Sequence, residues 1–240
     1  MIMNVFSAAW FIVMALQIVF IVILAIISKG KSYDEKEKIY KGLYIFLIIY
    51  YVAYKGYLIW GSKTYETSVL NELPLALCQV ASLLTYPGVA TKSKALQSFS
   101  FFIGSVCATL AMLMPVAGFT EIPLLSGEAI GYYGYHGLVI VMCVSLYTMK
   151  IYNPEIKHVP FVMLQLALYS LISHVVNFII RSNTDVAANY FFTYDPEGNP
   201  ILKIFRNLID INYVYLLPLI IPVGAVLAAA APLLHRKETK

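Results

Sequence analysis

A thiol, an imidazole and a carboxamide are the parts of a Cys-His-Asn acyl-transfer site. This chain carries one of each at Cys78, His136 and Asn177. In such a site the histidine takes the thiol proton as sulfur attacks a carbonyl, and the amide holds the ring in one tautomer. All three stand in apolar stretches. A strongly polar side chain in a membrane segment is expensive and is a functional candidate by default. Each also has a plainer reading: a lone membrane cysteine is commonly a small packing residue, and a buried histidine or asparagine can simply bond one helix to another. Other chemistries lack their signatures. The sequence contains no HExxH, GxSxG or Walker loop and no paired metal-ligand spacing, so neither a metal nor another cofactor is expected.

Further polar residues accompany these three. Gln79 follows the cysteine, and Tyr133 lies one turn before the histidine in Tyr132-Tyr133-Gly134-Tyr135-His136-Gly137. Ser170, Ser173, His174, Asn177 and Arg181 recur at helical spacing, which puts most of them on one face. That stripe could line a site or glue helices together. Lys55 ends the run Tyr50-Tyr51-Val52-Ala53-Tyr54-Lys55. It could snorkel to the interface or bind a lipid phosphate.

The elements that must position these residues are membrane helices. The chain has 240 residues, of which 60% are hydrophobic and only 12% charged, with mean hydropathy +0.75. About a quarter of the residues of a soluble domain are charged, and a chain of this length cannot hide so much apolar surface from water. The long apolar runs do not alternate with period two, so helices are favoured over a β-barrel. Seven spans are expected, at about 5–27, 39–60, 73–86, 95–114, 132–149, 160–180 and 211–231. The expectation is an all-α polytopic transmembrane bundle in a single integral membrane domain, 1–240. In the third span, Asn71 is expected as N-cap and Pro74 in the first turn.

The charges give a direction. Lys29, Lys31, Lys36, Lys38 and Lys41 lie between spans one and two, Lys92 and Lys94 between three and four, and Lys150 and Lys157 between five and six; Arg236, Lys237 and Lys240 follow span seven. All fall on one side only with seven spans. The positive-inside rule then places the N-terminus outside and the C-terminus in the cytoplasm. Cys78, His136, Asn177 and Arg181 all come to the outer half of the bilayer. No basic stripe interleaved with aromatics is present, so nucleic acid is not an expected partner. The connection Ser182–Asp210 is long enough to be functional, disordered, or to carry a short helix of its own.

Four short motifs, in order, resemble a known family. They are Leu73-Pro74-Leu75-Ala76-Leu77-Cys78, His136-Gly137-Leu138, Asn177, and Asn189-Tyr190-Phe191-Phe192. The set is similar to the eukaryotic transmembrane protein 164 group and its bacterial YwaF-like relatives. The resemblance implies a phospholipid acyltransferase that works through a cysteine acyl-enzyme on phospholipids and lysophospholipids. It implies Cys78 as nucleophile, His136 as general base, and Asn177 and Asn189 as orienting or oxyanion-side groups. Lys55, Gln79, Tyr133, His174, Arg181 and Tyr190 are the expected substrate-binding residues. The expected location is a bacterial plasma membrane, with the site toward its outer side. The sequence departs from the family pattern at Ala76 and in the tyrosine-rich segment Tyr213–Tyr215. Two other readings stay open: a transporter or small-molecule binding protein using the polar face of span six, and a receptor-like seven-span protein.

Overall fold

The computed structural model describes residues 1–116 and 118–236. Lys237 and Lys240 lie outside the described residues. The fold is a polytopic bundle of α-helices. Helix α1 covers Ala8–Ile27, α2 Tyr33–Trp60, α3 Leu77–Ala90, α4 Lys94–Phe99, α5 Ser105–Leu113, α6 Gly127–Thr148, α7 Val159–Asn183, α8 Pro200–Leu208 and α9 Ile220–Leu234. Among the described residues, six helical stretches are long and apolar enough to cross a membrane: α1, α2, Lys94–Leu113, α6, Ile156–Asn183 and Val214–Leu234. The remaining expected span, the third, falls on the shorter apolar helix α3. Strands Ile2–Met3 (β1) and Ile122–Pro123 (β2) pair antiparallel and tie the N-terminus to the segment before α6.

Contacts group the chain into two compact units, 1–68 with 78–152, and 69–77 with 153–240. The first is organised around α6, which is largely buried and packs against α1, α2 and α5. In lipid, the hydrophobic effect does not drive helices together, so close packing and polar contacts must do it. Glycines supply the close packing. A Cβ added at Gly127, Gly131 or Gly134 would run into the rings or hydroxyls of Tyr57, Tyr54 and Tyr50 of α2, and one at Gly137 would press on Gln17 of α1. Tyrosine hydroxyls supply the polar contacts. Tyr40 and Tyr50 donate to the carbonyls of Met142 and Ile130 at 2.8 and 2.6 Å. Helix α6 begins earlier than expected because Ser126 caps it and Glu128 lies in its first turn. The Glu128 carboxylate accepts from Ser62, Thr64 and Tyr57 at 2.6–3.0 Å, so an acid is satisfied by three hydroxyls at the end of a span.

Helix α3 is 14 residues long, or about 21 Å at 1.5 Å per residue, well short of the bilayer's hydrocarbon. It carries Pro87, which has no N–H to give the Leu83 carbonyl one turn back. The Tyr44 hydroxyl donates to that carbonyl at 3.1 Å instead. Further on, Gln97 and Tyr33 donate to the carbonyls of Gly88 and Val89, each at 2.8 Å. The span after α3 is interrupted by a π-helical stretch, Ser100–Gly104, between α4 and α5. Ser100 donates from there to the Ala81 carbonyl at 3.0 Å, and Gly104 leaves room for the Cys143 sulfur.

The start of α3 differs from expectation. Asn71 closes a 3-10 turn, Val69–Asn71, and Pro74 lies ahead of the helix, which begins only at Leu77. The reason lies within the second unit: the Tyr190 hydroxyl donates to the Leu70 carbonyl at 2.7 Å and accepts from the Leu73 N–H at 2.9 Å. These backbone groups are thereby committed outside any helix. That unit contains α7, α8 and α9, and its chain end is clamped where Asn153 bonds both backbone groups of Arg236 and His235 bonds the Pro154 carbonyl.

The glycine seam predicts a specific cost. Gly131→Val should destabilise the protein by about 1–3 kcal/mol through overpacking against Tyr54, read as a lower melting temperature in detergent. Adding Tyr54→Ala should recover part of that loss, since the clash partner is then gone.

Candidate active site

Cys78 is the second residue of α3 and half-buried. As the second residue of the helix it stands among first-turn N–H groups that have no carbonyl behind them. His136 stands nine residues into α6, about 13 Å along its axis. It is therefore nearer the middle of that helix than its rim. Its Nε2 lies 3.5 Å from Cys78 Sγ.

The ring's other nitrogen decides the chemistry. Nδ1 lies 2.8 Å from the Tyr132 carbonyl oxygen. A carbonyl only accepts, so Nδ1 must carry the proton. In the neutral ring Nε2 then keeps its lone pair, and that lone pair faces the thiol. The ring is held from the sides by Tyr132 and Tyr135, at centroid distances of 4.4 and 5.5 Å. Tyr132 is itself fixed: it stacks on Phe119 at 4.4 Å and donates to the Ala111 carbonyl at 2.9 Å. Below the pair, Ser82 of α3 meets Tyr135 of α6 at 3.0 Å, a second polar link between the two helices. This arrangement is a thiol and a base at hydrogen-bond reach, with the base oriented by a third group.

Lys55 is half-buried on α2, with its ammonium 5.2 Å from the Tyr54 ring centre and 5.9 Å from that of Tyr51. Both rings lie against Tyr135, 5.1 Å from Tyr51 and 6.3 Å from Tyr54, and Tyr135 flanks His136. The aromatic faces partly replace water around the charge. Gln79 is buried beside the cysteine, and its carbonyl accepts from Ser82 at 2.8 Å. Tyr133 donates to the Phe119 carbonyl at 3.0 Å. It also lines an apolar groove of about 460 Å³ between α1, α2 and α6, whose lining does not include His136.

The remaining expected site residues belong to the second unit, where each has local partners. Asn177 is fully buried. It donates to the Tyr190 carbonyl and Thr193 Oγ1, both at 2.9 Å, and accepts from the Tyr190 N–H at 3.0 Å. It thus holds a turn in which Phe191 and Phe192 both adopt left-handed backbone angles, φ 57° and 56°. Such strain persists only where the surroundings fix it. Asn189 donates to the Asp195 carbonyl and Glu197, both at 2.7 Å, and accepts from the N–H groups of Tyr194 and Asp195. Burial raises the Glu197 carboxyl above the usual range, and the Asn189 bond partly offsets this. Burial also pushes the Tyr190 phenol up to about 12, so its hydroxyl keeps its proton. His174 is sandwiched between Tyr194 and Tyr213, 5.1 Å from each. Arg181 covers Tyr194 at 4.5 Å and donates to the carbonyls of Ala187 and Ala188.

Residue types missed two contributors. The Tyr132 carbonyl leaves no trace in a sequence, because every residue has one. Tyr51 and Tyr54 were visible beside Lys55, but nothing in their spacing said that their rings would flank its charge.

The sequence profile of the TMEM164 family matches residues 5–230. The chain belongs to the TMEM164 family. No curated protein and no solved structure matches it. Membership and the apolar helices together make this TMEM164-family chain an integral, multi-pass membrane protein.

The bonds of Asn177 predict how its loss will show. Asn177→Ala should lower stability by about 1–3 kcal/mol, because buried groups around Tyr190 lose their partners. Cys78→Ala, which removes no structural bond of that kind, should leave the melting temperature close to that of the parent. Thermal unfolding of the two variants in the same detergent makes the comparison.

Proposed function

We propose that this protein is a membrane-embedded acyltransferase that moves a fatty acyl chain between a phospholipid and a lysophospholipid through a thioester on Cys78. The observation that carries this reading is the 3.5 Å approach of Cys78 Sγ to a His136 Nε2 whose tautomer is set by the Tyr132 carbonyl. Resemblance of the Cys78, His136 and Asn189–Phe192 motifs to the transmembrane protein 164 group supports the choice of lipid as substrate.

In the first half-reaction Cys78 Sγ attacks the ester carbonyl of the donor while His136 Nε2 takes the thiol proton. The tetrahedral intermediate collapses to a thioester. His136 returns the proton to the departing oxygen, which leaves as the hydroxyl of a lysophospholipid. In the second half an acceptor hydroxyl gives its proton to His136 and attacks the thioester. The Cys78 sulfur leaves and regains a proton. The first-turn amides of α3 and the Lys55 charge favour the developing oxyanion or the donor phosphate. Apolar surroundings keep water away, so transfer competes well with hydrolysis. Asn177 and Asn189 serve this scheme by building their loop rather than by touching the acyl group. With the N-terminus outside, the lipids used are those of the outer leaflet.

An alkyne-tagged phospholipid supplied in proteoliposomes should leave its acyl chain on the protein in a hydroxylamine-sensitive bond. Cys78→Ala should abolish the labelling. His136→Gln should slow it by about 10²–10⁴-fold, the usual weight of a general base. Labelling that persists in the alanine variant overturns the reading.

A further inference from the structure

The connection between α7 and the last span carries a helix with an unpartnered face. Asn199 caps α8 by accepting from the N–H groups of Ile201 and Leu202, and Pro200 opens its first turn. The helix is Pro200–Leu208, and none of its residues is buried. At about 100° per residue, Ile201, Ile204, Phe205 and Leu208 fall within one arc, and Lys203, Arg206 and Asn207 within the opposite one. The apolar arc is open: Ile201 is 54% exposed, Ile204 59% and Leu208 74%.

Two observations say what covers it. First, the chain re-enters a membrane span at Val214. Six residue steps from Leu208 reach at most about 20 Å when fully extended, and here they are folded shorter. Arg206 pairs with Asp210 at 3.0 Å and bonds Asn212 at 3.1 Å, while the Tyr213 N–H donates to the Thr193 carbonyl at 2.7 Å. The helix is therefore held at the membrane boundary. Second, the cations lie opposite the apolar arc. A helix with one apolar and one cationic face matches a phospholipid surface, where acyl chains and phosphates are stacked a few ångströms apart.

We propose that α8 lies flat in the membrane interface, with Ile201, Ile204 and Leu208 among the acyl chains and Lys203 directed to phospholipid phosphates, while Arg206 stays bonded to Asp210 and Asn212. The partner is the lipid surface on the side where α7 ends and the last span begins. This holds whether or not the protein transfers acyl groups.

Single tryptophans added to the full chain test the placement, since every position used is exposed and the parent has only Trp10 and Trp60 as background. In proteoliposomes, Ile204→Trp and Leu208→Trp should emit at shorter wavelength than Lys203→Trp and Asn207→Trp. Lipids brominated on the acyl chain should quench the first pair, and aqueous iodide the second. If iodide quenches positions 204 and 208 and bromolipid does not, the face is in water and the proposal fails. If neither quenches them, a second copy or another protein covers the face, and the proposal fails equally.

Discussion

The first unit depends on how closely α2 and α1 can approach α6. A membrane offers no hydrophobic reward for bringing two apolar helices together, because the lipid tails they displace are just as apolar. What remains is contact and bonding at short range. Glycines along α6 let the tyrosine rings of α2 lie directly on its backbone, and the hydroxyls of Tyr40 and Tyr50 then reach main-chain carbonyls of α6. A ring that is both seated and bonded cannot slide along the helix, so axial register is fixed along with distance. The position of His136 follows from that register.

The cysteine needs a different solution, because its helix is too short to span and contains a proline. A broken helix at membrane depth is tolerable only if its freed backbone groups find partners in the protein. Here they do: hydroxyls of Tyr44 and Tyr33 and the amide of Gln97 take up carbonyls of Leu83, Val89 and Gly88. The result is a helix N-terminus away from the rim of α6, with a thiol in its first turn. The long spans provide the scaffold, and the short, proline-containing α3 carries the Cys78 thiol.

Much of this was legible in the sequence. Hydropathy marked each stretch in which a long apolar helix lies, although α2 starts six residues and α6 five residues earlier than expected, and polarity within apolar stretches put Cys78 and His136 among the candidates before any distance was known. The limits were physical. The start of α3 was misplaced because local capping chemistry at Asn71 and Pro74 was overridden by a hydroxyl from Tyr190, more than a hundred residues away. Residue type does not reveal how many of an amide's bonds are already taken, and those of Asn177 go to Tyr190 and Thr193. The π-helical stretch at Ser100–Gly104 and the tyrosines seated on glycines are packing outcomes, and apolar periodicity says nothing about them.

The third group of the pair is a main-chain atom, and this separates what the chain encodes from what substitution can probe. The Tyr132 carbonyl orients His136 whichever side chain stands at 132, provided the helix persists. The Tyr132 side chain has other duties: its hydroxyl reaches Ala111 and its ring supports the imidazole. If the pair acts as proposed, a mutational scan would therefore register two functional positions where three groups cooperate. The silent member is inherited with the helix itself, so it needs no codon of its own and no point substitution deletes it.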